Sequence, residues 1–226
     1  LRTTLLDGLV ESARRNVDAG NEQIALFELA RVYLPSGGPR PDEHWHAGAI
    51  VEGGFSRAKG VLAMLYDALH VDLRVEPAER EALHPGKAAR FEAGWLGELH
   101  PSLLEGTWGV FEVDLGALFA AVPERLVYED VITYPAVRQD LAFVVDEDVL
   151  AGDLVDTARE AAGSELREMR VFDVYRGGQI PEGKKSIAFG VAFQSAERTL
   201  SDEDARGLRE RIVAALAEQF GAELRA

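Results

Sequence analysis

Asp173 and Tyr175 stand two residues apart in the run FDVY, and Ser186 follows in KKS after a Gly/Pro-rich stretch. A carboxylate accepts hydrogen bonds, a phenol ring offers a flat surface for stacking, and a hydroxyl can do either side of a hydrogen bond. Together they could hold a flat, polar heteroaromatic group. A second candidate set is Asp42, Glu43, His44 and His46 in DEHWH. His-x-His puts both imidazoles on one strand face, but no third ligand has a recognisable metal spacing, so no metal site is expected. His84 and His100 each precede a proline, and turn chemistry accounts for them. Gly106, Gly109 and Gly116 do not form a phosphate loop, and GxSxG, GxxxxGK[ST] and HExxH are all missing.

These residues need elements to position them. In the second part of the chain, Arg138 to Val145 reads as a strand and Leu150 to Ala162 as a helix with Leu154, Ala158 and Ala161 inward. Leu166 to Tyr175 is a strand, Gly177 to Gly183 a loop, and Ser186 to Gln194 another strand. Ser201 is an N-cap, with Asp202, Glu203 and Asp204 in the first turn where carboxylates suit the helix dipole. Ala205, Leu208, Ile212, Leu216 and Phe220 form its apolar stripe, Gly221 ends the helix, and residues 222–226 add a short last strand. The order β-α-β-β-α-β is that of a ferredoxin-like sandwich, with helices on one face of the sheet.

Strand alternation sorts the faces. Ile187, Phe189, Val191 and Phe193 point to the core, and the small residues Ser186, Ala188, Gly190 and Ala192 point away. With Phe172 and Val174 on the core side, Asp173 and Tyr175 share the open face with Ser186. Such a face can take a stacked base, or it can be covered by another domain. An RNA-recognition sheet with several stacking aromatics is a poorer match, since Phe143, Phe189 and Phe193 fall on the core side.

The first part mixes strands and helices without strict alternation, which indicates an α+β domain. Leu5 to Val17 is a helix, Ile24 to Leu34 a strand, Pro35 to Gly38 a turn and His46 to Val51 a strand. Lys59 to Leu69 is a helix with Val61, Leu62, Leu65 and Leu69 on one side, and Val71 to Val75 alternates as a strand. Ala89 to Glu92, Gly94 to Glu98 and Trp108 to Leu115 are further strands. The boundary falls between Pro123 and Pro135, giving domains 1–125 and 132–226.

The 226 residues carry a formal net charge of −15, and both halves are acidic. On composition alone this counts against nucleic-acid binding, because phosphate contacts need Lys and Arg. One stretch differs: Leu166 to Leu200 holds six basic residues against four acidic ones. Cysteine is absent, excluding disulfides and thiolate metal sites. No apolar run is long enough for a membrane span and no leader follows Leu1, so a cytoplasmic piece of a longer product is expected.

The strings FDVYRGGQIPEGKKSIAFGVAFQ, RTLSDED and FGAELR, preceded by YPAVRQDLAFVV, resemble the anticodon-binding domain of bacterial phenylalanyl-tRNA synthetase beta subunits. Upstream, LRTTLLDGLVESARRN, LFELARVYL, HPGKAARF and LGELHP resemble that family's degenerate class II synthetase-like domain. The resemblance runs from Leu1 to Arg225. It implies an α+β chain: a partial, non-catalytic class II synthetase-like domain, then a ferredoxin-like βαββαβ anticodon-binding domain.

The resemblance further implies a heterotetramer of two alpha and two beta chains that charges tRNA(Phe), with catalysis in alpha. ATP and magnesium belong to the complete enzyme, and no cofactor is expected in this fragment. Arg31 lies in the strand where a working class II enzyme carries its motif 2 arginine, but nothing resembles motif 3, so no catalytic residue is expected. By position, Asp173, Tyr175, Ser186 and Arg225 match the residues that meet the first anticodon base; Arg225 rests on the resemblance only. The alternative is a ferredoxin-like protein-interaction or regulatory module without RNA binding.

Overall fold

The computed structural model describes residues 1–126 and 131–225. The chain divides into two compact units, Leu1–Val127 and Tyr128–Ala226. The expected boundary, Pro123 to Pro135, takes in residues 127–130, which lie outside the described residues.

Unit 1 is built on a six-stranded antiparallel sheet in the order β1-β2-β6-β5-β4-β3. The strands are β1 (Ala25–Leu34), β2 (Asp42–Glu52), β3 (Glu76–Pro77), β4 (Leu83–Phe91), β5 (Gly94–Leu99) and β6 (Trp108–Asp114). Helix α1 (Leu6–Asp18) buries Leu6, Leu9, Val10 and Ala13 against one face, with Val32, Ile50, Trp108 and Val110. Helices α2 (Gly54–Ala68) and α3 (Leu115–Ala120) cover part of the other, over Ala49, Val51, Leu96, Phe111 and Val113.

Leu5 occupies the N-cap of α1 and has no capping group, so the Thr4 hydroxyl beside it accepts from the Leu6 N–H at 3.2 Å. The carboxylate of Glu112, only 3% exposed, accepts from the Leu5 N–H at 3.0 Å and from the Thr4 hydroxyl, and so completes the cap and holds Thr4 in place.

One expectation for unit 1 fails and another holds only in part. In α2, Leu62 is buried and Leu65 and Leu69 pack partly against the core as expected, but Val61 is exposed, and Gly54, Ala58 and Tyr66 complete the buried side. Small residues decide this: a Cβ at Gly109 would lie 2.1 Å from the Gly54 carbonyl oxygen, so helix and strand backbones touch there. Val71 to Val75 is not a strand. Val71, Leu73 and Val75 pack partly buried against the core, which produces the alternation without a ladder. Pairing with β4 starts only at Glu76 and Pro77, followed by one more backbone bond from the Ala78 N–H to the Ala88 carbonyl at 3.0 Å.

Unit 2 has β7 (Val137–Asp146), α4 (Ala151–Ala162), β8 (Leu166–Tyr175), β9 (Lys184–Phe193), α5 (Asp202–Phe220) and β10 (Glu223–Arg225). The sheet order β10-β7-β9-β8, with antiparallel neighbours, is the ferredoxin-like arrangement expected. Phe143, Phe189 and Phe193 are fully buried with Leu154 of α4 and Leu208, Ile212 and Leu216 of α5. Ala162 rather than Ala161 completes the buried side of α4. Ser201 and Asp204 form a reciprocal capping box on α5, and Gly221 ends that helix at φ 60°.

Candidate nucleic-acid interface

Residues directly opposite in an antiparallel pair project to the same side of the sheet, so the register sorts the open face into rows. One row is Tyr175, Ser186, Val144 and Glu223, reading from β8 to β10. The next is Asp173, Ala188, Ala142 and Arg225. Then come Arg170, Gly190 and Asp140, and last Glu168, Ala192 and Arg138. Tyr175, Asp173, Ser186 and Arg225 therefore lie on one face within two adjacent rows.

The middle of this face is low because β9 contributes only Ser, Ala and Gly. Long side chains from the two edge strands can reach across it. The Arg225 guanidinium carbon sits 5.7 Å from the centre of the Tyr175 ring, and Arg225 Nη2 donates to Gln179 Oε1 at 2.8 Å. Tyr175 is 40% exposed, whereas Ser186, its register partner, is 4% exposed. The tyrosine ring also rests on the Gly177 loop, where a Cβ would fall 2.2 Å from the phenol oxygen. The phenol is thus held between a loop glycine and an arginine.

The structure corrects the faces of β8. Val171 pairs with Phe189 and Asp173 with Ala188, so Phe172 is an extra residue in a β-bulge. Phe172 is 61% exposed and does not enter the core. Its ring lies over Gly190, where a Cβ would come within 3.9 Å of Phe172 Cδ1. Val174 pairs with Ile187 on the core side but is itself exposed, because the second half of β8 buries nothing. Strict period-two reading missed Phe172; a bulge has no signature in the FDVY string.

Much of the local excess of cations is balanced by nearby acids. Arg176 pairs with Glu147 at 2.7 Å and Lys184 with Asp146 at 3.0 Å. The hydrogen bond from Arg176 holds the Glu147 carboxyl below the usual range. Arg170 and Arg138 share Glu168, at 2.9 and 3.3 Å. This face can take bases and a few phosphates; it is not a basic groove.

In unit 1, His44 Nδ1 meets Asp114 at 3.0 Å and His46 Nδ1 meets Glu112 at 2.6 Å. Both imidazoles are engaged by carboxylates of β6. Among the described residues no group of three or more His, Asp or Glu is arranged to hold a metal. Arg31 is paired with Glu43 at 2.6 Å and lies over the Trp45 ring at 5.3 Å. That arrangement does not fit a nucleotide triphosphate, which needs several converging cations.

Residues 133–225 match the ferredoxin-fold anticodon binding domain, and residues 1–107 match the phenylalanyl tRNA synthetase beta chain CLM domain. Over its whole length the chain is similar to phenylalanine–tRNA ligase beta subunits. It is 38% identical to that of Geobacillus kaustophilus, 37% to that of Moorella thermoacetica and 34% to that of Bacillus cereus. The chain belongs to the phenylalanyl-tRNA synthetase beta-subunit family. It covers 31% of the length of each of these relatives. A pyrrolysyl-tRNA synthetase of Desulfitobacterium hafniense aligns in structure over 52% of this chain and 47% of its own. Its TM-score is 0.41 at 17% identity, a likeness too slight to build on. Among the described residues no helix is long and apolar enough to cross a membrane.

Proposed function

We infer that this chain is a non-catalytic part of a phenylalanine–tRNA ligase beta subunit, in which unit 2 binds the anticodon of tRNA(Phe) and unit 1 supports the catalytic alpha subunit. The observation that carries the reading is the convergence of Asp173, Tyr175, Ser186 and Arg225 on one open sheet face, inside the region that matches an anticodon-binding domain. In this reading Tyr175 stacks on the first anticodon base, Asp173 accepts from its N–H groups, and Ser186 and Arg225 complete the hydrogen bonds. Arg225 has to leave the tyrosine ring when the base arrives, because the guanidinium occupies that space.

For unit 1, support comes from the bare end of the sheet. Phe27 and Leu29 of β1 are 79% and 57% exposed, and Trp45 of β2 is 51% exposed. The register puts all three on the same side. Three large apolar side chains left together in water mark a contact surface, and the alpha subunit is the partner assigned to it. The complete assembly is an alpha2–beta2 tetramer working in the cytoplasm, with catalysis in alpha and with ATP and magnesium used by the complete enzyme.

The test is aminoacylation by a full-length alpha–beta enzyme carrying Tyr175→Ala, with tRNAs of normal and altered anticodon. Reduced kcat/KM and weakened anticodon preference are expected. Unchanged values in a folded variant overturn the assignment, as does phenylalanine-dependent ATP–pyrophosphate exchange by the isolated chain for the non-catalytic part of the reading.

A further inference from the structure

Phe172 is a large aromatic side chain, 61% exposed, on the same open face as Tyr175. It is there because the β8 bulge turns it out of the alternation, and its ring lies over Gly190. Asp140 borders the same spot: a Cβ at Gly190 would lie 3.8 Å from Asp140 Oδ1 and 3.9 Å from Phe172 Cδ1. Arg170, opposite Gly190, is 82% exposed at its side chain, and Arg138 is 73% exposed. Each uses nitrogens on Glu168 and has further N–H donors to offer. Around one exposed ring the face therefore holds a carboxylate acceptor and two guanidinium groups.

We propose that Phe172 is a second stacking platform, which takes the nucleotide next to the one on Tyr175, with Asp140 facing the base edge and Arg170 the phosphate. The proposal rests on the anticodon-binding reading of unit 2 and extends it from one nucleotide to two. Spacing argues for it. Phe172 and Tyr175 are three residues apart along β8, roughly 7–10 Å at about 3.3 Å per residue. Neighbouring bases that stay stacked are separated by only about 3.4 Å. The two rings thus fit bases splayed apart in a single-stranded loop, which is how sheets that read RNA present their aromatics. Charge argues the same way. Arg138 and Arg170 are balanced by Glu168 and Asp140, so this patch cannot hold a polyanion by charge alone. What it offers is a ring, one acceptor and a donor pair.

The experiment uses the full chain and a short RNA hairpin bearing the anticodon loop of a phenylalanine tRNA. 2-Aminopurine replaces one loop base at a time. Binding is followed by anisotropy, and stacking by 2-aminopurine fluorescence. Phe172→Ala should weaken binding roughly 5- to 150-fold, the range that loss of one base–aromatic stack produces. It should also change the fluorescence at one loop position, adjacent to the position changed by Tyr175→Ala. Phe172→Tyr should restore both, and Arg170→Ala should lower the salt slope by about 0.7, one phosphate.

If Phe172→Ala binds like the unsubstituted chain while Tyr175→Ala does not, the second platform is wrong and the anticodon reading stands. If the unsubstituted chain does not bind the hairpin, or neither substitution matters, both fall. Phe172→Ala that spares RNA binding but abolishes association with the alpha subunit makes the ring a protein contact and overturns the proposal. Because Phe172 is exposed, its loss leaves the core intact, and an unchanged melting curve verifies that for each variant.

Discussion

The Arg225 guanidinium carbon lies 5.7 Å from the centre of the Tyr175 ring, although β10 and β8 are at opposite edges of a four-stranded sheet. The contact exists because the strands between them carry Ala142, Val144, Ser186 and Ala188 on that side. A bulky residue at any of these positions would separate the two. An exposed cation–π pair contributes about 0.5–1 kcal/mol, so the contact is weak enough for a base to displace.

That weakness sets the first prediction. Tyr175→Ala should reduce RNA affinity by about 1–3 kcal/mol and Ser186→Ala by roughly 0.5–1.5 kcal/mol. Arg225→Ala should lower the melting temperature only slightly, since it removes one surface cation–π contact and one hydrogen bond to Gln179. Titration of a labelled anticodon hairpin into each variant, alongside thermal melts, checks the ordering. A large melting shift for Tyr175→Ala with unaltered binding would identify the ring as packing.

The sequence made the ferredoxin-like order legible because its signals are local: the apolar stripe of α5, the Ser201 cap, the Gly221 stop and the Phe189–Phe193 alternation each read without tertiary information. Placing Asp173, Tyr175 and Ser186 on one face followed from period two together with setting Val174 on the core side, which the register bears out. Two things were not legible. The bulge at Phe172 depends on how β8 pairs with β9, and an inserted residue looks like any other in a string. The close approach of α2 to the sheet, which brings Gly54, Ala58 and Tyr66 inward beside Leu62, depends on Gly54 meeting Gly109, a contact between residues far apart in sequence. Arg225 reached the site only by resemblance, since nothing in a three-residue strand says which ring it will cover.

A second prediction concerns Glu112. Its carboxylate is buried and serves the Leu5 N–H, the Thr4 hydroxyl and His46 at once. Glu112→Ala strands those partners and should destabilise unit 1 by about 3 kcal/mol or more. Glu112→Gln keeps an acceptor for the Leu5 N–H and should cost less. Urea unfolding followed by tryptophan fluorescence reports it, since Trp45, Trp95 and Trp108 all lie in unit 1. Equal losses for the two variants would show that the capping acceptor is unimportant.

Unit 2 holds a complete βαββαβ set around its own buried core, with Phe143, Phe189, Leu208 and Ile212 all within it. A polypeptide of residues 132–226 should therefore fold cooperatively by itself. The expected result is a single sigmoidal melt with native-like circular dichroism. An unfolded spectrum, from a segment whose longer parent folds, would show that unit 1 is needed.

The last prediction is an acid sensitivity located at the start of α5. Hydrogen bonds from Arg198, first, and then from the Ser201 hydroxyl and backbone N–H hold the Asp204 carboxyl well below its ordinary range. A carboxyl group depressed in the folded state binds its proton more readily when unfolded. Its stabilising contribution is complete above the unfolded pKa, roughly 3.9, and is lost as pH falls through the folded value. The melting temperature of unit 2 should therefore fall with acid below about pH 4. In Asp204→Asn the stability at neutral pH should already be lower, and the decline on acidification shallower. Ser201→Ala tests the same cap from the other side and should cost about 1 kcal/mol. It removes one donor from the carboxylate but leaves the bidentate Arg198 pair at 2.7 Å, so most of the acid dependence should survive. Melts of residues 132–226 between neutral and acid pH decide it: identical pH profiles for Asp204→Asn and the unsubstituted protein would mean that other carboxylates, such as Glu147 beside Arg176, set the acid limit.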